Sequence, residues 1–479
     1  MIWTLAVRHL FVKRVRALVL LLGFALGVGV MIVLLSVGEA MLAQSRDVAL
    51  VGGGEVTVLP QGIDIEAMRT GGTGGMFFGV DRARAVTRTF LGGARTAGAV
   101  RSVAPALEYK LLYVAKGGVV MPVKAGGEIP SRATAVGAGL RVLDGEWRDS
   151  PADSAFVAPT VQQLYDELDR FHIPPGGDST WGEWHYFNVV TAPEEWWYIT
   201  YLVGGDVPAG RWGGQLLVTR RRPDGRYERY VSSVPSERVQ LDTTRADLAL
   251  GEHRVTQREG RYRIAGTASG PSGRARFDLE VRPQPRRYFP PVELRADEFL
   301  SGYVVPGLRS DATGTLCVDG TCREVRDAAA YHDHNWGVWR DVSWEWGMGR
   351  GARLDLLYGG VISPRDSVGA AGAPFFLALA DSLGVRQVLR FRTIAYEGAL
   401  PAGGAGGRAP ERFTLVAARD ADTLRLRVQV LSAQSTETAA AGMRRLFLQM
   451  RGRFVLEGRL AGGRVEDEGL GFFETYVNR

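Results

Sequence analysis

Arg274-Ala275-Arg276-Phe277-Asp278-Leu279-Glu280-Val281-Arg282 decides how the larger part of this chain is read. Small and apolar residues alternate strictly with charged ones, and a strand puts successive side chains on opposite faces. One face is then apolar and the other charged, as in an antiparallel sheet with one side on a core. Leu424, Leu426, Val428 and Val430 repeat the pattern against Arg425, Arg427 and Gln429. Pro223-Asp224-Gly225, Pro271-Ser272-Gly273 and Asp319-Gly320 are turn signals between such segments. From Trp181 to the end the chain is too long for one small barrel, so two are expected. A faint repeat agrees: Trp184-His185-Tyr186 then Trp196-Trp197-Tyr198 is echoed by Trp344-Glu345-Trp346 then Leu356-Leu357-Tyr358.

Further along lies Tyr331-His332-Asp333-His334-Asn335-Trp336-Gly337, with Trp339, Trp344 and Trp346 behind it. Two of the six histidines and four of the eleven tryptophans fall here. On a strand, His332, His334 and Trp336 share one face, and Tyr331, Asp333 and Asn335 the other. Imidazoles beside an indole can move a proton next to an apolar or cationic group. The same spacing also fits a buried aromatic strand whose histidines are simply hydrogen-bonded. Zinc wants three or four ligands, and nothing in the sequence ties His185 or Asp355 to His332 and His334. No metal is therefore expected.

The charge is +6 and the pI about 9.4, but the excess is arginine scattered along strand-like segments. Arg220-Arg221-Arg222 before Pro-Asp-Gly reads as a solvated turn. Without a basic helix or a single-strand aromatic motif, nucleic acid is not an expected partner. Gly52-Gly53-Gly54 and Gly71-Gly72-Thr73-Gly74-Gly75 lack the lysine of a phosphate-binding loop and read as flexible linkers. Two cysteines flank Val318-Asp319-Gly320-Thr321. A two-residue Asp-Gly hairpin puts Cys317 directly opposite Cys322, within disulfide range. Such a bond implies an oxidising compartment.

Toward the N-terminus, Arg8, Lys13, Arg14 and Arg16 precede a charge-free run from Ala17 to Val37, about the length that crosses a hydrocarbon core. The positive flank predicts a cytoplasmic N-terminus, a retained single-pass anchor in the inner membrane and an exported body. Gly23 and Gly27 form a small-xxx-small pair. Thr160 to Phe171 has helical periodicity, with Val161, Leu164, Leu168 and Phe171 near one stripe. Pro174-Pro175-Gly176-Gly177 then breaks the chain. The expected organisation is a flank and membrane helix over 1–40, an α+β extracytoplasmic domain over 41–175, and barrels over 176–335 and 336–479. The stretch from Ala399 to Pro410 reads as a loop of the second barrel.

Two family resemblances attach to these motifs. Leu5-Ala6-Val7-Arg8-His9-Leu10, the apolar run, Ser36-Val37-Gly38-Glu39 and Val100-Arg101-Ser102-Val103-Ala104-Pro105 resemble the start of MacB/FtsX-type ABC transporter permeases. Those permeases carry three further membrane helices, for which this chain has no matching apolar runs. The resemblance implies an accessory subunit docking on permease and ATPase partners.

Trp181-Gly182-Glu183-Trp184, Glu195-Trp196-Trp197-Tyr198, residues 331–337 and Gly469-Leu470-Gly471-Phe472-Phe473-Glu474 resemble the CrtC/AttH family. That family comprises double lipocalin-like barrels, including carotenoid hydratases that add water to a carbon–carbon double bond without a cofactor. The resemblance implies a mainly β fold and an apolar isoprenoid or lipid ligand. It also implies a catalytic pair at His334 and Trp336. The family's Tyr-x-Asp reads Tyr358-Gly359-Gly360 here, which leaves Asp333 and Asp355 as the nearest acids. Trp184, His185, Trp196, Trp197, His332 and Trp346 are the expected ligand contacts, with plugging of the barrels as their alternative role.

Overall fold

The structure, a computed structural model, describes residues 14–46, 56, 58, 80–136, 148–172, 181–192, 195–207, 209–296, 299–338, 343–362, 375–440 and 443–478. The two glycine-rich stretches, the break at 174–177 and Trp339 lie outside them. Two compact units form: Met1–Phe78 with Val100–Asp153, and Gly79–Ala99 with Ser154–Arg479.

In the first unit, helix α1 (Arg14–Arg46) carries the charge-free run, and its 33 residues rise about 50 Å. Its described apolar side chains, among them Leu22, Phe24, Leu26 and Leu34, are exposed. Counted over the described residues, no helix is long and apolar enough to cross a membrane. Strands Ala106–Lys116 and Val119–Glu128 pair as a hairpin.

The second unit is mainly β. Eight strands close a ring: β1 (Trp181–Ala192), β2 (Glu195–Asp206), β3 (Arg211–Arg221), β4 (Tyr227–Pro235), β5 (Arg261–Gly270), β6 (Gly273–Pro283), β7 (Phe299–Val318) and β8 (Thr321–Val338). Each pairs antiparallel with the next, and β8 returns to β1. A second ring follows: β9 (Ser343–Gly351), β10 (Asp355–Ile362), β11 (Phe375–Asp381), β12 (Gly384–Phe391), β13 (Arg412–Arg419), β14 (Asp422–Ala440), β15 (Met443–Leu460) and β16 (Gly463–Asn478). Here β16 returns to β9. Each ring is narrowest at its fourth strand, which meets the fifth through one residue pair: Val231 with Ser269, and Arg390 with Ala418. In both barrels the chain detours through short strands at that point.

The alternation read from β6 holds, since Ala275, Phe277, Leu279 and Val281 are buried while the intervening residues are exposed. They join Trp197, Ile199, Tyr201, Leu216 and Val218 in the core of the first barrel. Tyr358, Leu377, Leu426, Phe454 and Phe473 belong to that of the second. A third apolar cluster lies in the seam between the barrels, where Tyr186, Trp196, Tyr198 and Tyr331 meet Trp346, Met348, Leu357 and Phe472.

Helix α2 (Val80–Gly92) and helix α3 (Val161–Asp169) pack with the barrels, joined by Arg88 to Glu167 at 2.8 Å. Thr160 and Gln163 form a reciprocal capping box that starts α3. Leu168, Asp169 and Phe171 are buried, whereas Val161, expected on the same stripe, is exposed because it sits on the first turn.

Several expectations shift. Residues 79–99 and 154–172 join the barrels, although a boundary was expected near 175, because α3 delivers its last turn into the first ring. The first barrel runs to Val338, three residues beyond the expected limit at 335. Within 399–410, Leu400–Pro401 pairs with Arg408–Ala409. Arg220-Arg221-Arg222 is not a solvated turn. Strand alternation buries Arg221, which bonds Ser432 across the seam, while Arg220 and Arg222 reach Glu228.

The Cys317–Cys322 disulfide forms, with Cα atoms 4.0 Å apart across the Asp319-Gly320 turn. Both turn residues take positive φ, as a tight hairpin requires. The bond closes a short loop, so replacing both cysteines with serine should cost about 2 kcal/mol in urea unfolding.

Candidate functional sites on the two faces of one wall

The wall where β8 meets β1 carries nearly all the chemistry. His334 pairs with His185, Asp333 with Tyr186, and His332 with Phe187. Alternation then divides β8. His332 and His334 point into the first barrel, where His332 stacks on Phe187 at 4.1 Å; Tyr331 and Asp333 face the seam.

Inside the barrel, α3 delivers Asp169. Its Oδ1 receives His334 Nδ1 at 2.8 Å, and its Oδ2 meets His332 Nε2 at 2.9 Å and Tyr262 OH at 2.6 Å. The far nitrogen of His334 contacts Glu183 Oε1 at 2.9 Å. Glu183 also accepts the backbone N–H of His172 and contacts its ring at 2.9 Å. Asp169, Glu183, His185, His332 and His334 are buried. With His172, the cluster takes four of the chain's six histidines.

The charges balance locally. Burial works to lower His334, but its two carboxylate partners outweigh it and push the imidazole up to about 9. Burial works to raise Asp169, yet the surrounding imidazoles hold it well below the usual carboxylate range. His185 is not the source of that stabilising charge, since burial keeps its own ring neutral. His332 spans two acceptors, with Nδ1 3.0 Å from the Tyr186 carbonyl and Nε2 against Asp169.

On the seam side stand two acids. Asp333 accepts from Asn335 Nδ2 at 2.7 Å, and Glu474 accepts from Trp344 Nε1 at 3.1 Å and Gln449 Nε2 at 3.2 Å. Burial raises both carboxyls to about 7. They occupy equivalent places: Asp333 lies opposite Tyr186 on β1, and Glu474 opposite Trp346 on β9. That equivalence follows the repeat that aligns Trp184 with Trp344. Around them, Asn188 Oδ1, Trp196 Nε1 and Tyr198 OH are buried polar atoms without a hydrogen-bond partner.

The residues expected to act together are therefore distributed. His334 and Trp336 sit on the inner face, where Trp336 stacks on His172 at 3.8 Å, while Asp333 is behind them in the seam. Tyr358 lies in the second barrel's core beside Phe391 and Phe473. Asp355 is held by Arg287 at 2.5 Å and Arg309 at 2.8 Å, an ion-paired position. Of the expected ligand contacts, Trp196 and Trp346 line the seam with Trp184 packed against it. Trp197, His185 and His332 lie in the first barrel. Asp169 was missed entirely. Its only signal was an acid at the end of a helical stretch, 165 residues from its partner His334. Glu183 and Glu474 stand in the sequence only as members of the aromatic motifs, and Glu474 meets the buried donors Trp344 and Gln449.

No protein-family model and no curated protein matches this chain. Solved structures do. A putative AttH from Nitrosomonas europaea is 13% identical with a TM-score of 0.43, covering 64% of this chain and 96% of its own. Kievitone hydratase from Nectria haematococca is 13% identical, TM-score 0.43, covering 62% and 89%. CghA, solved with Sch210972, is 12% identical, TM-score 0.43, covering 66% and 97%. Nothing among the matches supports the permease resemblance of the N-terminal third.

Asp169→Asn removes the negative charge and one of the two accepting oxygens shared by three donors inside the barrel. It should cost about 3 kcal/mol or more in denaturant unfolding, and a loss below about 1 kcal/mol would show that the cluster does not hold α3 in place. Glu345, half-buried in the second barrel against Tyr396 and Thr475, is raised to about 7 by its loss of solvent. The folded chain keeps that proton after the unfolded chain has released it, so stability falls as pH rises from about 4.5 toward 7. Glu345→Gln should flatten part of this slope in thermal melts.

Proposed function

We propose that the protein binds an apolar isoprenoid- or acyl-type ligand in the seam between its barrels and catalyses acid-dependent addition of water to a carbon–carbon double bond. The observation that carries this reading is Glu474. It is a buried carboxyl hydrogen-bonded to Trp344 and Gln449, in an aromatic seam whose Asn188, Trp196 and Tyr198 present unpartnered polar atoms. Protonating an isolated alkene needs an acid kept neutral in a dry site. The cation that forms needs an aromatic face nearby, and Trp346, Tyr198 and Phe472 offer several.

The step balances without a cofactor. Glu474 gives its proton to one alkene carbon, water adds to the other, and the proton that water sheds returns to the carboxylate. Asp333, across the seam, is placed to accept a hydrogen bond from that water. His334 and Trp336 stay on the far side of the wall and act by holding it rigid.

The charge-free run from Ala17 to Val37 is the sequence feature behind a proposed membrane location, and a membrane is where ligands of this class reside. The proposed location is the inner membrane, with the barrels on the extracytoplasmic side.

The test is to purify the full chain in detergent, extract and identify bound lipid, and assay hydration of that species. Glu474→Gln should lower turnover about a hundredfold or more with the fold intact. Wild-type turnover should fall as pH rises through about 7. Bound lipid with no turnover in wild type would favour a carrier, such as an accessory subunit of an ABC-type exporter. A chain that takes up no apolar ligand would overturn the proposal.

A further inference from the structure

The inner face of the same wall points to something else. We propose that Asp169, His185 and His334 form a buried binding site for a divalent transition-metal ion of the zinc class.

His185 raises the question. Its ring is fully buried, and neither nitrogen has a hydrogen-bond partner. The Ala246 backbone acts on the ring to favour its protonated form, although neither ring nitrogen completes a hydrogen bond. An orphaned imidazole is a poor filler for a barrel that could hold phenylalanine there, because leaving its polar atoms unmet costs about 1–3 kcal/mol.

Its Nδ1 faces Asp169 Oδ1 at 3.7 Å, and that oxygen is 2.8 Å from His334 Nδ1. One donor atom from each of the three residues lies within 4.8 Å of the others. A tetrahedral ion with bonds of about 2.0–2.1 Å holds neighbouring ligand atoms about 3.3–3.4 Å apart. The two separations to Asp169 Oδ1, 2.8 and 3.7 Å, fall on either side of that spacing, and the three donor atoms stay within 4.8 Å of one another.

The outer atoms of two of the three ligands, His334 and Asp169, are already arranged as metal ligands require. His334 turns its other nitrogen to Glu183, and Asp169 offers Oδ2 to Tyr262 and His332. Partners of this kind orient a ligand and set its tautomer. Binding displaces the proton between His334 Nδ1 and Asp169 and leaves these outer contacts in place. His172, Glu183 and His334 also converge within 4.8 Å, but His172 is partly exposed and Glu183 is already hydrogen-bonded, so that set serves as support. Two imidazoles and one carboxylate suit zinc or iron(II) better than calcium or magnesium, which prefer oxygen. Phe171 packs on both His185 and His334, at 4.9 and 5.1 Å, which makes the site a structural clamp on the segment after α3.

Zinc alone is the probe. The full chain, stripped with chelator and reloaded, should retain about one zinc per chain through gel filtration, measured by mass spectrometry of the metal. His185→Phe removes a ligand and no hydrogen bond, so its metal-free melting temperature should equal or exceed that of wild type. Zinc should raise the melting temperature of wild type and leave that of the variant unchanged. Cobalt(II) gives a reading that needs no variant, a visible ligand-field spectrum that zinc abolishes. Zinc retention no greater in wild type than in His185→Phe, or a cobalt spectrum typical of the hexaaqua ion, would overturn the proposal. Glu474→Gln should bind zinc normally, so failure here and failure of the seam chemistry are distinguishable.

Discussion

The antiparallel pairing of β8 with β1 is the contact on which the other features depend. It closes the first ring, and its register sets His334 against His185 and Asp333 against Tyr186. Because side chains alternate, one strand of wall serves two compartments: imidazoles inside the barrel and a carboxyl in the seam. A slip of one residue would exchange them, placing imidazoles in the aromatic seam and a carboxylate in the barrel core. The buried hydrogen bonds to Asp169 and Glu183 make such a slip costly, since each unpartnered charge would be stranded away from water.

Asp169 couples the helical segment to the barrel. Carried on the last residue of α3, it is the acceptor on which Tyr262, His332 and His334 converge. The capping box at Thr160 starts the helix, and the ion pair from Arg88 to Glu167 ties it to α2. A short helix of this kind is marginal by itself and is stabilised by what its end buries.

The two barrels are variations on one plan. Each runs four strands, detours, adds four more and pairs the last with the first. Asp333 and Glu474 fall at matching positions, so the seam receives one acid from each side. Inside, the plan diverges: Glu345 and Thr475, bonded to each other at 2.7 Å, stand in the second barrel where His185 and His334 stand in the first. The duplicated scaffold keeps a polar pair at that point while its chemistry changes.

Much of this was legible in the chain. Period-two alternation at 274–282 and 424–430 identified strands and their buried faces, and Asp319-Gly320 located a hairpin closely enough to pair Cys317 with Cys322. The division of residues 331–337 into two faces was readable for the same reason, since the direction of a strand side chain depends only on parity. Parity does not say what each face meets. His185, Asp169 and Glu183 reach His334 through ring closure and a helix end, contacts between residues far apart in the chain, and spacing carries no record of them. By itself the sequence determined strands, turns and faces, because these follow from local sterics and alternation. Only the tertiary structure decided that one face encloses a charge-balanced imidazole cluster and the other an acidic aromatic seam, because burial and electrostatics depend on which distant strands close the ring.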